Sequence, residues 1–208
     1  EALFPEEMEE GRPRGWEVGS IGDEFHLTMG QSPPGSTYND YGDGVPFYQG
    51  KTDFGFRFPT RRKYCSAPTR FAEVGDTLVS VRAPVGTINM ANEYCCIGRG
   101  VAAIRHKSGS RSYTYYIMEM LKPAFDSFEA EGTVFGSINK KDFHDISIIS
   151  APPQLIHAFE KFAFPIDQEI DINELQAVTL SALRDALLPK LMSGEVRVSN
   201  VENLFGVV

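Results

Sequence analysis

The sequence contains no apolar run long enough to span a bilayer. Residues 1–10 are acidic, whereas a secretory leader opens basic and then turns apolar. A membrane protein or an exported one is therefore not expected, and a cytoplasmic location is. The three cysteines, Cys65, Cys95 and Cys96, are an odd number, two of them adjacent, and they form no CxxC pair. That pattern argues against a structural zinc site and a disulfide framework, and for buried or incidental thiols in a reducing compartment. His26, His106, His144 and His157 are scattered, with no partner at ligand or triad spacing. No glycine-rich loop follows a strand as a cofactor cradle would, and there is no P-loop. Neither a metal nor a cofactor is expected. The absence of an initiator Met suggests a processed chain or an excised piece.

What is present is ordinary in bulk and uneven in distribution. At 208 residues, 42% hydrophobic and 23% charged, the chain can hold one sizeable domain with an appendage, or two small domains. The net charge of −8 speaks superficially against a polyanionic partner. Yet residues 47–111 carry eleven Lys and Arg against four Asp and Glu, a net of +7, while the rest of the chain carries −15. A basic block in an acidic protein is either an electrostatic footprint for nucleic acid or a solvated basic face.

Residues 1–14 form a charged lead-in punctuated by Pro5, Gly11 and Pro13. Residues 15–150 are rich in Gly, Pro and aromatics. They carry short apolar runs, Thr77-Leu78-Val79-Ser80-Val81, Val101-Ala102-Ala103-Ile104 and Ile146-Ser147-Ile148-Ile149, and Gly75-Asp76 provides a turn before the first. Short runs bounded by turn residues predict strands. A helix is expected over residues 112–128, broken or kinked at Pro123. This region is thus α+β with a mixed or antiparallel sheet. Phe54, Phe56 and Phe58 alternate with Gly55 and Arg57, which fits a strand face in the core or an aromatic edge on a ligand.

The character changes at Ala151-Pro152-Pro153. Glycine is absent from residues 154–191, and Leu155, Ile156, Phe159, Phe162, Ala163 and Ile166 share one helix face. Beyond Pro165, which is expected to kink or restart the helix, Ile172, Leu175, Thr179, Ala182 and Ala186 follow the step of a coiled-coil seam. Leu180, Leu183 and Leu187 make a second apolar line. Residues 151–194 are expected to be one long coiled-coil-forming helix, stopped at Ser193-Gly194, with residues 195–208 as a tail.

Several segments, taken in order, resemble the specificity subunit of type I restriction-modification systems, the HsdS family. They are Gly15-Trp16-Glu17-Val18; Gly30-Gln31-Ser32-Pro33-Pro34-Gly35 followed by Tyr38; and Phe47-Tyr48-Gln49-Gly50-Lys51-Thr52-Asp53-Phe54. Further on come Ser80-Val81-Arg82-Ala83-Pro84-Val85-Gly86; Ile97-Gly98-Arg99-Gly100; Gly132-Thr133-Val134-Phe135-Gly136-Ser137-Ile138; the Pro152-Pro153 helix entry; and the run from Leu183 to Glu195. One departure is Ile156-His157, where the family often has an acidic residue followed by Gln. The resemblance implies a DNA target-recognition domain over residues 15–150 and a spacer helix over residues 151–194. The lead-in Leu3-Phe4-Pro5 and the tail suggest the C-terminal half of a longer subunit in preference to a natural half-length protein.

Such a subunit is not an enzyme: it reads one half of a bipartite site in double-stranded DNA, while partner methyltransferase and restriction subunits methylate adenine and cleave. The helix is expected to pair antiparallel with a second recognition half, or with a second copy. Ser32-Pro33-Pro34 is followed by Gly35 where an amino-methyltransferase would place an aromatic ring, so a rigid loop is the better reading. For DNA contact, base reading is assigned to Gln49, Arg57, Arg61 and Arg62 and phosphate contact to Lys51, Lys63, Lys140 and Lys141. Arg82 and Arg99, in family-wide segments, suit phosphate or scaffold roles. A fragment of a stand-alone adenine methyltransferase, revealed by S-adenosylmethionine binding, and a helical adaptor binding only protein are the competing readings.

Overall fold

The computed structural model describes residues 7–9, 11–130 and 136–196. The lead-in Leu3-Phe4-Pro5, residues 132–135 and the tail from Arg197 lie outside them. Strands β1 (Met8–Glu9) and β2 (Arg12–Pro13) pair across Gly11, whose positive φ makes the turn. β3 (Glu17–Ser20) leads into the short α1 (Ile21–Glu24), closed by a capping box between Ser20 and Asp23. Then come β4 (Phe25–Met29), β5 (Tyr38–Asn39), β6 (Val45–Tyr48), β7 (Tyr64–Cys65), β8 (Phe71–Ala72), β9 (Thr77–Val81), β10 (Val85–Met90), β11 (Cys95–Ile97) and β12 (Val101–His106). The chain continues through α2 (Arg111–Met120), α3 (Lys122–Ala130), α4 (Lys140–His144), β13 (Ser147–Ser150) and α5 (Pro153–Met192). The fold is α+β with a long C-terminal helix.

Two compact units result, Glu1–Asp167 and Gln168–Val208. In the first, β10, β9, β12 and β4 form an antiparallel sheet in that order, and β5, β7, β6, β11 and β8 form a mixed one in which only β6 and β11 run parallel. Side chains alternate across a strand. Leu78, Val101 and Ala103 therefore face the second sheet, joining Tyr48, Ala72, Cys95 and Ile97 in one core cluster. The opposite face of β9, β10 and β12 carries α2 and α3. All five residues of β9 are buried, so the run 77–81 is apolar without alternation because it is covered on both faces. The three cysteines are buried and free, and burial pushes the Cys95 and Cys96 thiols up.

The helix expected over residues 112–128 divides at Leu121. Pro123 has no N–H to donate, and it sits instead in the first turn of α3, where none is needed. Pro165 behaves differently: α5 runs unbroken from Pro153 to Met192, so no restart occurs there. The carbonyl that loses its partner belongs to exposed Lys161. The first stripe of α5 is only half used. Ile156 and Ala163 are buried and Phe159 rests edge-on against Tyr113 and Tyr116, but Phe162 is 73% exposed. Among the described residues, the second unit is the remainder of α5 and the turn that follows it. Ile172, Leu175, Thr179, Ala182 and Ala186 are all exposed, and so are Leu180, Leu183 and Leu187. Gly194, at positive φ, donates to the Leu191 carbonyl and closes the helix.

His106 ends β12 with its ring buried between Phe25 and Tyr113, Nδ1 at 2.6 Å from the Ser108 hydroxyl and Nε2 at 3.4 Å from the Glu24 carboxylate. Burial pushes its pKa below the ordinary 6.5, against the pull of Glu24. The unfolded chain then takes up a proton that the folded chain refuses. Stability from this group is complete above pH 6.5 and is lost as pH falls below it. Thermal melts at about pH 7.5 and about pH 5.5 are expected to show a smaller drop for His106→Gln than for the parent chain. Equal drops would remove His106 as the cause.

Candidate functional site

Four loops of the first unit meet around one open groove of about 850 Å³. Its lining includes Gly30, Gln31, Ser32 and Pro33 after β4, Gln49, Gly50, Lys51 and Thr52 after β6, Arg82, Ala83 and Pro84 between β9 and β10, and Arg99 and Gly100 between β11 and β12. Main-chain bonds lace these loops together. Gly30 donates to Val101 at 2.9 Å, Gln31 to Ile97 at 3.1 Å, Gly98 to Tyr48 at 2.8 Å and Val81 to Gly100 at 2.9 Å. Glycine is required where they cross. A Cβ on Gly30 would overlap the Gly98 carbonyl, and one on Gly100 would overlap the Gln49 carbonyl.

Side chains set the shape of each loop. The Tyr38 hydroxyl donates to the Pro33 carbonyl at 2.6 Å, while its ring lies 4.6 Å from that of Phe47. Thr37 closes on the Pro34 carbonyl, so Ser32-Pro33-Pro34 is a locked turn. Ser32 Oγ accepts from the Arg99 N–H at 3.3 Å. Buried Asp53 accepts from the Gln49 N–H at 2.7 Å and pins the loop that carries Lys51. Buried Ser80 donates to the Pro84 carbonyl and accepts from the Thr87 N–H, while Arg82 bridges to Ser137. Tyr38, Asp53 and Ser80 were not foreseen as part of the site. Each stands inside or beside a motif quoted above, but only its long-range partner reveals its work.

Of the expected contact residues, the groove gathers Gln49, Lys51, Arg82 and Arg99, all exposed. Among the described residues no carboxylate lies within ion-pair distance of Lys51, Arg82 or Arg99. Other members of the basic block are engaged. Arg61 pairs with Glu93 at 2.7 Å, Lys63 with Asp40 at 2.8 Å and Arg105 with Asp76 at 2.5 Å, and Arg62 donates to the Thr52 carbonyl at 2.9 Å. Arg61, Arg62 and Lys63 remain exposed, and a surface ion pair is worth only about 0–1 kcal/mol, so a stronger anion can displace it. Lys140 and Lys141 are exposed on α4 and do not line the groove.

Arg57, expected as a base reader, lies instead among buried side chains in this structure. It is 7% exposed, ion-paired to Asp167 at 2.8 Å, and its guanidinium lies 4.0 Å from the centre of the Tyr115 ring. The Tyr116 hydroxyl accepts from it at 3.3 Å. Its side chain is consumed in holding α5 and α2. The alternation of Phe54, Phe56 and Phe58 is not a strand face either. Gly55 and Phe58 close a tight hairpin, Phe54 and Phe58 turn inward, and Phe56 is 83% exposed.

Among the described residues no cluster of three or more His, Cys, Asp or Glu could hold a metal ion, and no helix is long and apolar enough to cross a membrane.

The comparisons with known proteins agree with the motifs. The profile of the type I restriction modification DNA specificity domain matches residues 13–177. A Methanocaldococcus jannaschii protein named as the MjaX type I restriction enzyme specificity subunit is 37% identical over 190 residues, 89% of this chain and 44% of its own length. The solved HsdS subunit of Thermoanaerobacter tengcongensis is 38% identical, with a TM-score of 0.64 over 93% of this chain and 48% of its own. A chain from a type I R-M system, solved to explain complex assembly and conformational transition, is 41% identical, with a TM-score of 0.65 over 90% of this chain and 48% of its own. The chain thus spans about half the length of the relatives it matches. It belongs to the family of type I restriction-modification DNA specificity domains.

Proposed function

We propose that this chain reads one half of a bipartite DNA target for a type I restriction-modification complex, in which partner subunits methylate and cleave. The observation that carries this reading is the groove. It brings three cations, Lys51, Arg82 and Arg99, that have no acidic partner among the described residues to one open surface beside Gln49, in a protein whose net charge is −8. Such a cluster in an otherwise acidic chain suits an anionic ligand. Phosphate suits Lys51, Arg82 and Arg99; Gln49 can form two hydrogen bonds to an adenine edge. Arg61, Arg62 and Lys63, themselves exposed, extend the surface once their present partners are exchanged. The chain supplies no catalytic group. Residues 15–150 act as the target-recognition domain and residues 151–194 as the spacer. The two exposed apolar lines of α5 suit antiparallel pairing with a second recognition half or a second copy, and docking of methyltransferase subunits.

A salt titration of DNA binding tests the reading. Affinity is expected to fall steeply with salt, and Lys51→Ala to weaken binding to all sequences alike while reducing the slope by about 0.9. A binding constant indifferent to salt would sink the proposal and favour the protein-only adaptor. Binding of S-adenosylmethionine would favour the methyltransferase fragment.

A further inference from the structure

The proximal part of α5 is held to its unit by one face. Phe159, Glu160, Ala163 and Asp167 fall at spacings of one, three and four, on one side of the helix. Phe159 meets the rings of Tyr113 and Tyr116. The Glu160 carboxylate accepts the N–H groups of Arg111, Ser112 and Tyr113, at 2.9, 3.3 and 3.0 Å, and so caps α2. Asp167, the last residue of the compact unit, pairs with Arg57. Of these contacts, the last reaches the recognition loops. Arg57 stands in the hairpin closed by Phe54 and Pro59, between the groove residues Gln49 to Thr52 and the exposed pair Arg61-Arg62. Among the groups that orient its guanidinium are the Asp167 carboxylate, the Tyr116 hydroxyl and the face of Tyr115. A planar cation fixed in this way resists rotation as well as separation.

We propose that Arg57 and Asp167 are positioning residues: they lock the proximal part of α5 to the reading loops, and so set which gap between half-sites the complete subunit accepts. This rests on the bipartite reading above. If a rigid helix separates two recognition domains, the helix sets its length, but the joint at each end sets the angle at which that length is applied. A loose joint lets the loops reach half-sites one base pair nearer or farther. A firm one confines them to a single gap. Base preference within the half-site is expected to be unaffected, since Arg57 is buried and does not line the groove.

The test uses the complete specificity subunit with its methyltransferase subunits. Adenine methylation is measured on DNA carrying the half-sites at the native gap and at gaps one base pair shorter and longer. The variant is Arg57→Met/Asp167→Leu. It exchanges a buried ion pair for apolar side chains, a change that commonly leaves stability intact. Selectivity for the native gap is expected to fall about tenfold while preference within each half-site is kept. A second variant, Arg57→Lys, keeps the charge but not the flat group over Tyr115, and is expected to lower gap selectivity in the same direction. It decides the matter if the double variant fails to fold. Folded variants with the parent's gap selectivity overturn the proposal, because a purely structural role predicts that outcome. A parent complex that methylates all gaps equally overturns the bipartite reading itself, and the parent alone reveals it.

Discussion

Replacing Arg82 and Arg99 together by Glu is expected to lower DNA affinity about a hundredfold or more at moderate salt, and to flatten the dependence on salt by about two units. Both side chains line the groove, both are exposed, and neither has a carboxylate partner among the described residues. The substitution therefore removes two cations from the groove without breaking an ion pair among the described residues, and adds two charges that would repel a phosphate there. The loops should keep their shape, because main-chain bonds and buried Ser80 and Asp53 hold them, not the two guanidinium groups. Lys140→Glu with Lys141→Glu makes the same change in charge on α4, outside the groove, and is expected to cost far less. Filter binding or fluorescence anisotropy across a salt series measures both. Equal losses for the two pairs would mean that net charge alone drives binding and that the groove is not the interface.

Arg57→Ala is expected to act on stability. It leaves the Asp167 carboxylate, 5% exposed, without its cation, and it also removes the contact with the Tyr115 ring. Breaking one side of a buried pair costs about 3–5 kcal/mol, since the remaining charge stays desolvated. For a chain of this size that lowers the melting temperature by on the order of 10 °C. Asp167→Ala should do similar damage. The two losses should not add, because the second substitution removes the charge that the first left stranded. Denaturant melts of the two single variants and the double variant form the cycle. A change of only about 0.5 kcal/mol for Arg57→Ala, as at an ordinary surface position, would show that the pair does not hold the helix.

Both expectations turn on arginines from one basic block, and the sequence treats these alike. Arg57, Arg61, Arg82 and Arg99 all stand near glycine, proline or aromatic residues. What separates them is the partner. Arg57 meets a carboxylate 110 residues further along and Arg61 one 32 residues along, while Arg82 and Arg99 meet none among the described residues. Local pattern carries no information about such encounters. The convergence of the groove loops was likewise visible only as a set of separate motifs. Their glycines declare a close approach, but not to what. The carbonyls of Gly98 and Gln49 that exclude a Cβ at Gly30 and Gly100 come from other loops.

By itself the sequence determined the strand runs at 77–81, 101–104 and 146–149, the break before Pro123, the long glycine-free helix with its closing Gly194, and the family. These follow from periodicity, turn chemistry and motif order, all written within a few residues of where they act. The tertiary structure alone decided which half of the stripe on α5 is buried, that the helix does not restart at Pro165, that Phe56 points outward, and which cations remain available for a ligand. Each of these depends on contacts between segments far apart in the chain. Desolvation and pairing energies are fixed by what lies within a few ångströms in space, and a one-dimensional pattern does not specify that.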